Sequence, residues 1–184
     1  MSLPDFDAET RLIRKGYKAI AGVDEVGRGC IAGPVTAAAV ILNPQKIPSG
    51  LNDSKKLNLK NREKIFRSIQ DTCTFCVAHS SVEEIDQINI LQASLLSMKR
   101  AIFGLRIKPD FVLIDGNKNP EGLEINFETI IKGDSKSLSI AAASIVAKIT
   151  RDRIMSRLDK EFPGYNWSQN AGYPTKMHKS AILD

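Results

Sequence analysis

Four acidic residues stand where solvated surface charges rarely stand. Asp24 and Glu25 close the apolar run AIAGV, Asp115 closes FVLI just before Gly116, and Asp134 follows NFETIIKG and precedes the longest apolar-periodic stretch of the chain. Ligands of α/β sheets gather outside strand ends, where loops converge. Carboxylates held there together repel one another unless a cation lies between them. An all-oxygen donor set favours Mg2+ or Mn2+, and the scarcity of His and Cys disfavours zinc. Several carboxylates around paired hard cations suit phosphodiester hydrolysis. Each acid also has an ordinary reading. Asp134 could cap a helix, with Ser135 and Ser137 as alternatives, Asp115-Gly116 could be a plain turn, and Asp24 and Glu25 could pair with Arg28 or Lys55.

Two further segments suit a polyanionic ligand. In the turn Gly27-Arg28-Gly29, two glycines let the backbone approach a ligand closely and expose N–H groups to phosphate or sugar. The stretch from Lys46 to Arg67 holds seven basic residues (Lys46, Lys55, Lys56, Lys60, Arg62, Lys64, Arg67) against Asp53 and Glu63, a surplus equal to the +5 of the whole chain. Charge concentrated on one segment fits a phosphate track.

Elements that would position these residues follow from periodicity. A short helix spans about residues 5 to 16, with Asp5 or Asp7 as cap and Leu12 and Ile13 as apolar contacts. AIAGVDEV and VTAAAVIL read as strands joined by the glycine-rich turn GRGCIAGP. The Pro- and Gly-punctuated segment 43–58 reads as loop. LKNREKIFRSIQ is an amphipathic helix with Leu59, Ile65, Phe66 and Ile69 on one side. CTFCVAHS is a third strand, a long helix starts near Ile88 and runs through Ile102, FVLID and NFETIIKGD are strands, and SLSIAAASIVAKITRDRIMSRLDKEF is the longest helix. Beyond Pro163 the sequence reads as irregular. Three strands with short connections, then alternating helices and strands, predict an α/β sheet with an antiparallel side.

With 184 residues, 42% hydrophobic and 26% charged, the chain has the composition of one globular domain, not of a disordered, collagenous or coiled-coil protein. The N-terminus lacks the apolar core of a secretory signal, and the run Cys30–Leu42 is too short to span a bilayer, so no membrane association is expected. Three cysteines argue against a disulfide framework and for a reducing cytoplasm. Cys73 and Cys76 form a CxxC without a second pair, and read as buried strand cysteines on opposite faces.

VDEVGRG with GPV, then LNDSKKL, IDGN, KGDSKSLSIAAASIVAKITRDR and GYPT resemble the bacterial ribonuclease HII family, in the family's order from Gly22 to Thr175. The resemblance implies a ribonuclease H-like mixed five-stranded sheet flanked by helices. It further implies one catalytic domain over 1–184, with about 163–184 forming a small helical, substrate-contacting extension. It implies a monomeric enzyme that cuts the RNA strand of RNA–DNA hybrids and nicks duplex DNA on the 5′ side of a single embedded ribonucleotide, using Mn2+ or Mg2+ on Asp24, Glu25, Asp115 and Asp134. The turn Gly27-Arg28-Gly29 would read the 2′-hydroxyl, Tyr173 would stack on the adjoining deoxyribose, and Lys55 and Lys56 would contact the backbone near the cut. The chain departs from the pattern at Cys30, where proline is commoner, at QNAGYPT, which lacks His-Lys, and at Asp184, where it stops before a basic HRRSF-like segment. Ribonuclease HIII shares the core chemistry but normally carries an extra N-terminal domain, and with about 20 residues ahead of VDEVGRG that alternative is expected to be the weaker one. A non-catalytic hybrid binder would keep the basic track and lose carboxylates, and all four are present.

Overall fold

A computed structural model describes residues 3–183, so the expected domain ends at Met1 and Asp184 lie outside the described residues. Five strands form one mixed sheet: β1 (Ile20–Val26), β2 (Val35–Ile41), β3 (Thr74–Ser80), β4 (Phe111–Asp115) and β5 (Asn126–Ile130), in the order β3-β2-β1-β4-β5. β1, β2 and β3 pair antiparallel, while β1, β4 and β5 run parallel. The antiparallel side is therefore present as the sequence predicts. Only the β1–β2 connection is short, because β2 reaches β3 through loop 43–58 and the helix α2 (Leu59–Thr72).

β2 is buried along its whole length, which explains why VTAAAVI does not alternate. Its Ala38 and Val40 face α2 and α4 (Leu138–Glu161), whereas Ala37, Ala39 and Ile41 face α3 (Val82–Phe103). Small side chains at the sheet centre admit close helix approach. Gly22 on β1 carries this furthest: a Cβ there would lie 2.1 Å from the Ser139 carbonyl carbon, so the first turn of α4 rests directly on the strand. The helix α1 (Asp7–Arg14) adds Leu12 to a third cluster with Ile20, Phe111, Leu113 and Ile140.

Several local expectations need correction. Ile13 and Leu59 are exposed, at 41% and 60%, because each lies off the face its helix buries. Phe6 precedes α1 without a side-chain cap; Asp5 instead accepts the Asp7 N–H at 3.0 Å. α3 starts at Val82, behind a Ser81/Glu84 capping box, and kinks at Asn89 (φ 66°). Asn89 accepts the N–H groups of Leu91 and Gln92, recapping the segment whose periodicity shows in the sequence. Cys73 ends α2 rather than starting a strand. It and Cys76 are half-buried free thiols that pack into opposite clusters. Past Pro163 the chain is not merely irregular, since it forms α5 (Trp167–Asn170) and α6 (Lys176–Leu183). Among the described residues, no helix is long and apolar enough to cross a membrane.

Candidate active site

Strand register assembles the acidic centre. β1 and β4 pair in parallel up to Val23 beside Ile114, so the next step along both strands sets Asp24 beside Asp115 on the α4 face. Asp115 lies next to Ile130 on β5, and the chain returns from there: the Gly133 N–H donates to Asp115 Oδ1 at 2.6 Å, bringing Asp134 over the strand ends. Asp134 does not cap α4. Ser137 does, accepting the Ile140 N–H. This leaves Asp134 free to face the other carboxylates.

Asp24 is 6% exposed, and its Oδ1 accepts the Glu25 N–H at 2.8 Å. Burial pushes its carboxyl well above the usual range, and Glu25, Asp115 and Asp134 push it further. Burial also raises Asp134, joined by Asp53 and Asp115 and partly offset by Lys55. Burial raises Glu25 too, although its carboxylate bonds Arg28 at 3.2 Å, which pulls the other way. The four acids thus share one field.

A cleft of about 340 Å³ opens beside them, lined by Asp24, Glu25, Val26, Ser54, Lys55, Ser144, Lys148 and Tyr173. Two larger clefts, of 410 and 390 Å³, lie along α2 and gather no such set of carboxylates. The DSKK segment forms a 3-10 turn over Ser54–Lys56, with Asp53 accepting the Lys55 N–H at 2.9 Å. Ser54 Oγ meets Ser144 Oγ at 2.7 Å, docking the turn on α4. Burial works to lower the Lys55 ammonium, but Asp24, Asp53 and Asp134 together hold it above its ordinary value. Lys55 therefore faces the acids. Lys56 is exposed and does not line the cleft, because the turn sends the next side chain outward.

The glycine turn forms the rim. Gly27 adopts φ +113°, and a Cβ there would meet Arg151 Nε at 2.7 Å and the Pro34 carbonyl at 3.0 Å, so both conformation and space demand glycine. Arg28 and Gly29 stand at the exposed tip, and a Cβ on Gly29 would lie 3.5 Å from the Tyr173 ring. Tyr173 and the turn are thus immediate neighbours across the cleft mouth. Burial, and then the nearby Cys30, raise the Tyr173 hydroxyl above its ordinary value, so it stays protonated and able to donate.

Three residues that organise this site are not among the candidate site residues of the sequence. Arg151 on α4 is fully buried and donates to the carbonyls of Ala32, Pro34 and Ala171 at 2.6–3.0 Å, fastening the glycine turn to the loop before Tyr173. Its signal is a charge on the same helical stripe as the buried Ala147 and Met155. Glu9 on α1 is 2% exposed, and its Oε1 accepts from Ser137 Oγ, Ser139 N and Ser139 Oγ, bracing the segment after Asp134. Its position three residues before Leu12 puts it on the buried face. His178 on α6 is 1% exposed and bonds the Tyr173 carbonyl at 2.8 Å.

The donor chemistry fits a hard divalent cation, being all carboxylate oxygen in a partly desolvated setting. Among the described residues, no three Asp, Glu, His or Cys side chains are gathered closely enough to chelate as they stand. Glu25 bonds Arg28 through Oε1 and Asp115 accepts the Gly133 N–H through Oδ1, so each keeps its second carboxylate oxygen for a cation.

The chain as a whole is similar to known proteins. The family model described as Ribonuclease HII matches residues 21–184. Ribonuclease HII of Paracoccus denitrificans is 55% identical over 184 residues, covering all of this chain and 88% of that one. That of Ruegeria pomeroyi is 56% identical over 182 residues, covering 99% and 78%. Among solved structures, ribonuclease H2 of Pyrococcus horikoshii superposes with a TM-score of 0.73 at 29% identity, over 90% of this chain and 85% of that one. The Archaeoglobus fulgidus ribonuclease HII, solved in complex with PCNA, gives 0.71 at 27% identity over 90% and 87%. The family model over residues 21–184 and relatives more than half identical over nearly the whole chain make this protein a member of the ribonuclease HII family and an endonuclease hydrolase.

Proposed function

We propose that this enzyme hydrolyses the RNA strand of RNA–DNA hybrids and nicks duplex DNA on the 5′ side of a single embedded ribonucleotide, leaving 5′-phosphate and 3′-hydroxyl ends. The observation that carries the reading is the buried Asp24 in one cleft with Glu25, Lys55 and Tyr173, the Tyr173 ring lying against Gly29 of the glycine turn. Asp24, Glu25, Asp115 and Asp134 are the residues that would hold Mg2+ or Mn2+. Bound there, such cations supply Lewis acidity at a phosphodiester and a water of lowered pKa.

The remaining work falls to the chain itself. Lys55 and Lys148, on the cleft wall, offset the charge of an entering phosphate. Lys56, outside the cleft, suits a phosphate further along the strand. The N–H groups of the Gly27-Arg28-Gly29 turn approach the 2′-hydroxyl without side-chain interference, which separates RNA from DNA. Arg28 bonds Glu25 through its guanidinium, so the turn reads through its backbone. Tyr173 offers a ring to the neighbouring deoxyribose and a hydroxyl to the junction. The chain would act as a monomeric catalytic unit, with the segment from about 163 onward gripping the duplex. The free cysteines accord with a cytoplasmic setting and a role in removing ribonucleotides and RNA primers.

The test is a duplex carrying one ribonucleotide, incubated with Mg2+, Mn2+ or chelator, beside an all-DNA duplex and a long hybrid. One nick 5′ of the ribonucleotide, dependent on the cation and absent from all-DNA, is the expected result. Cleavage of all-DNA, or cleavage that persists in chelator, overturns the reading.

A further inference from the structure

The Tyr173 carbonyl accepts two hydrogen bonds. One comes from the Thr175 N–H at 2.8 Å and closes a tight turn. The other involves His178 Nδ1, also at 2.8 Å. The proton on this ring is fixed by its other neighbour. Trp167 Nε1 can only donate, and it meets His178 Nε2 at 2.9 Å, so Nε2 accepts and Nδ1 carries the hydrogen given to Tyr173. His178 is 1% exposed, and its backbone N–H also donates to Thr175 Oγ1. Trp167 is held in turn by the Asp159 carboxylate on its N–H at 2.7 Å and by stacking on Tyr165, with ring centres 5.0 Å apart.

The segment that needs this support is strained. Ala171 and Gly172, directly before Tyr173, both adopt positive φ (49° and 81°), and a residue with a side chain, as Ala171 is, persists in that left-handed conformation only where its surroundings enforce it. Arg151 secures the Ala171 carbonyl, and the Ile31 N–H secures that of Gly172, so the entry to Tyr173 is tied to the glycine turn. Among the described residues, only His178 ties the Tyr173 carbonyl to a buried side chain.

We propose that His178 is a positioning residue for ribonucleotide recognition: through Nδ1–H it sets the backbone of Tyr173, and thereby the height of the Tyr173 ring over Gly29. This rests on the substrate reading above and deepens it. His178 touches no substrate. It transmits the docking of α6 to the one aromatic side chain in the cleft.

The two ring nitrogens can be separated by substitution. His178→Asn keeps a donor near Nδ1 and loses the acceptor for Trp167. His178→Gln keeps an acceptor near Nε2 and loses the donor for Tyr173. The single tryptophan of the chain reports the Trp167 bond by its fluorescence. His178→Asn should shift that emission yet cut a single embedded ribonucleotide within about threefold of wild type. His178→Gln should keep the emission and lose roughly tenfold or more, on the order of what a small misplacement near a reacting group costs. Cleavage of a long hybrid should fall less, since neighbouring ribonucleotides offer other registers. Equal losses for both variants on both substrates, in step with their melting temperatures, would overturn the proposal. Should neither variant fold, the nitrogen resonances of wild-type His178 decide: they should show the Nδ1–H tautomer and move on binding a ribonucleotide-containing duplex but not an all-DNA one. Resonances that stay put with both duplexes would sink the idea. A wild type that ignores the single ribonucleotide refutes the function instead, because the comparison between variants then never arises.

Discussion

Replacing Asp24 with Asn should make the cation-free protein more stable while abolishing cleavage. Burial, Glu25, Asp115 and Asp134 all raise the Asp24 carboxyl in the folded state. The sign follows from linkage. An unfolded Asp ionises near pH 3.9, and below that pH both states hold the proton and no difference arises. As pH rises further, the unfolded chain ionises freely while the native state must ionise a buried group among like charges. Stability is therefore lost on going from acid to neutral pH, and Asn removes the loss. Asn can keep the bond from the Glu25 N–H to Oδ1, so the change isolates the charge.

Leaving a polar group buried without full compensation costs about 1–3 kcal/mol, more when it is charged. In a chain of this size each kcal/mol moves the melting temperature by about 2–4 °C. A gain of about 2 kcal/mol thus predicts a rise of roughly 4–8 °C for Asp24→Asn in chelator at about pH 7.5, shrinking towards zero near pH 4. Adding Mn2+ or Mg2+ should reverse the order. At a hundredfold excess over Kd a bound cation stabilises by about 2.7 kcal/mol, and the variant, short of one ligand, gains less. Thermal melts of both proteins at two pH values, with chelator and with cation, read all of this. A variant that melts below wild type in chelator at neutral pH would refute the claim that these acids strain the fold.

Lys55→Ala removes a cation held by Asp24, Asp53 and Asp134, so hybrid binding should weaken and the slope of log K against log salt should flatten by about 0.9 if Lys55 neutralises one phosphate; an unchanged slope returns Lys55 to a purely internal role. Arg151→Met strands the carbonyls of Ala32, Pro34 and Ala171, and at about 1–3 kcal/mol for each unsatisfied acceptor should cost at least about 3 kcal/mol, a fall of roughly 10 °C in the melting temperature, with Arg151→Lys recovering part of it. A melt unchanged by Arg151→Met would show the three bonds to be dispensable.

What the sequence discloses and what it hides divide along separation in the chain. The strands carrying Asp24 and Asp115 are legible because an apolar run ending in an acid can be read within five to seven residues, as FVLID is. The Gly-Arg-Gly turn is legible because glycine spacing is local. Arg151, Glu9 and His178 are opaque as partners. The bonds of the first two join residues far apart in the chain, as Arg151 to Pro34 and Ser137 to Glu9 do, and those of His178 depend on turns that short helices enforce. Periodicity shows that such a residue faces inward but not which carbonyl waits there. The tail past Pro163 reads as irregular for a related reason: α5 has four residues and α6 has eight, and helices so short are held by docking rather than by propensity.

The opaque residues nevertheless share a plan. Ser144, Lys148, Arg151 and Met155 follow one another at intervals of four, three and four, which places them along one stripe of α4. Ser144 docks the turn that carries Lys55, Lys148 lines the cleft, Arg151 binds the glycine turn to the Tyr173 loop, and Met155 lies buried beneath Gly33 and Gly172. At its first turn the same helix presses on Gly22, two residues before Asp24, and receives Glu9 just past Asp134. The sheet thus sets the acids by register, and one helix holds the groups around them. In β1 a one-residue slip would exchange the face of every side chain, so Asp24 keeps its place beside Asp115 only in this register. The groups on α4 bind the turns around the acids, as Ser144 binds Ser54 and Arg151 the carbonyls of Ala32, Pro34 and Ala171. Substitutions along this stripe should therefore alter grip and discrimination while leaving the carboxylates in place.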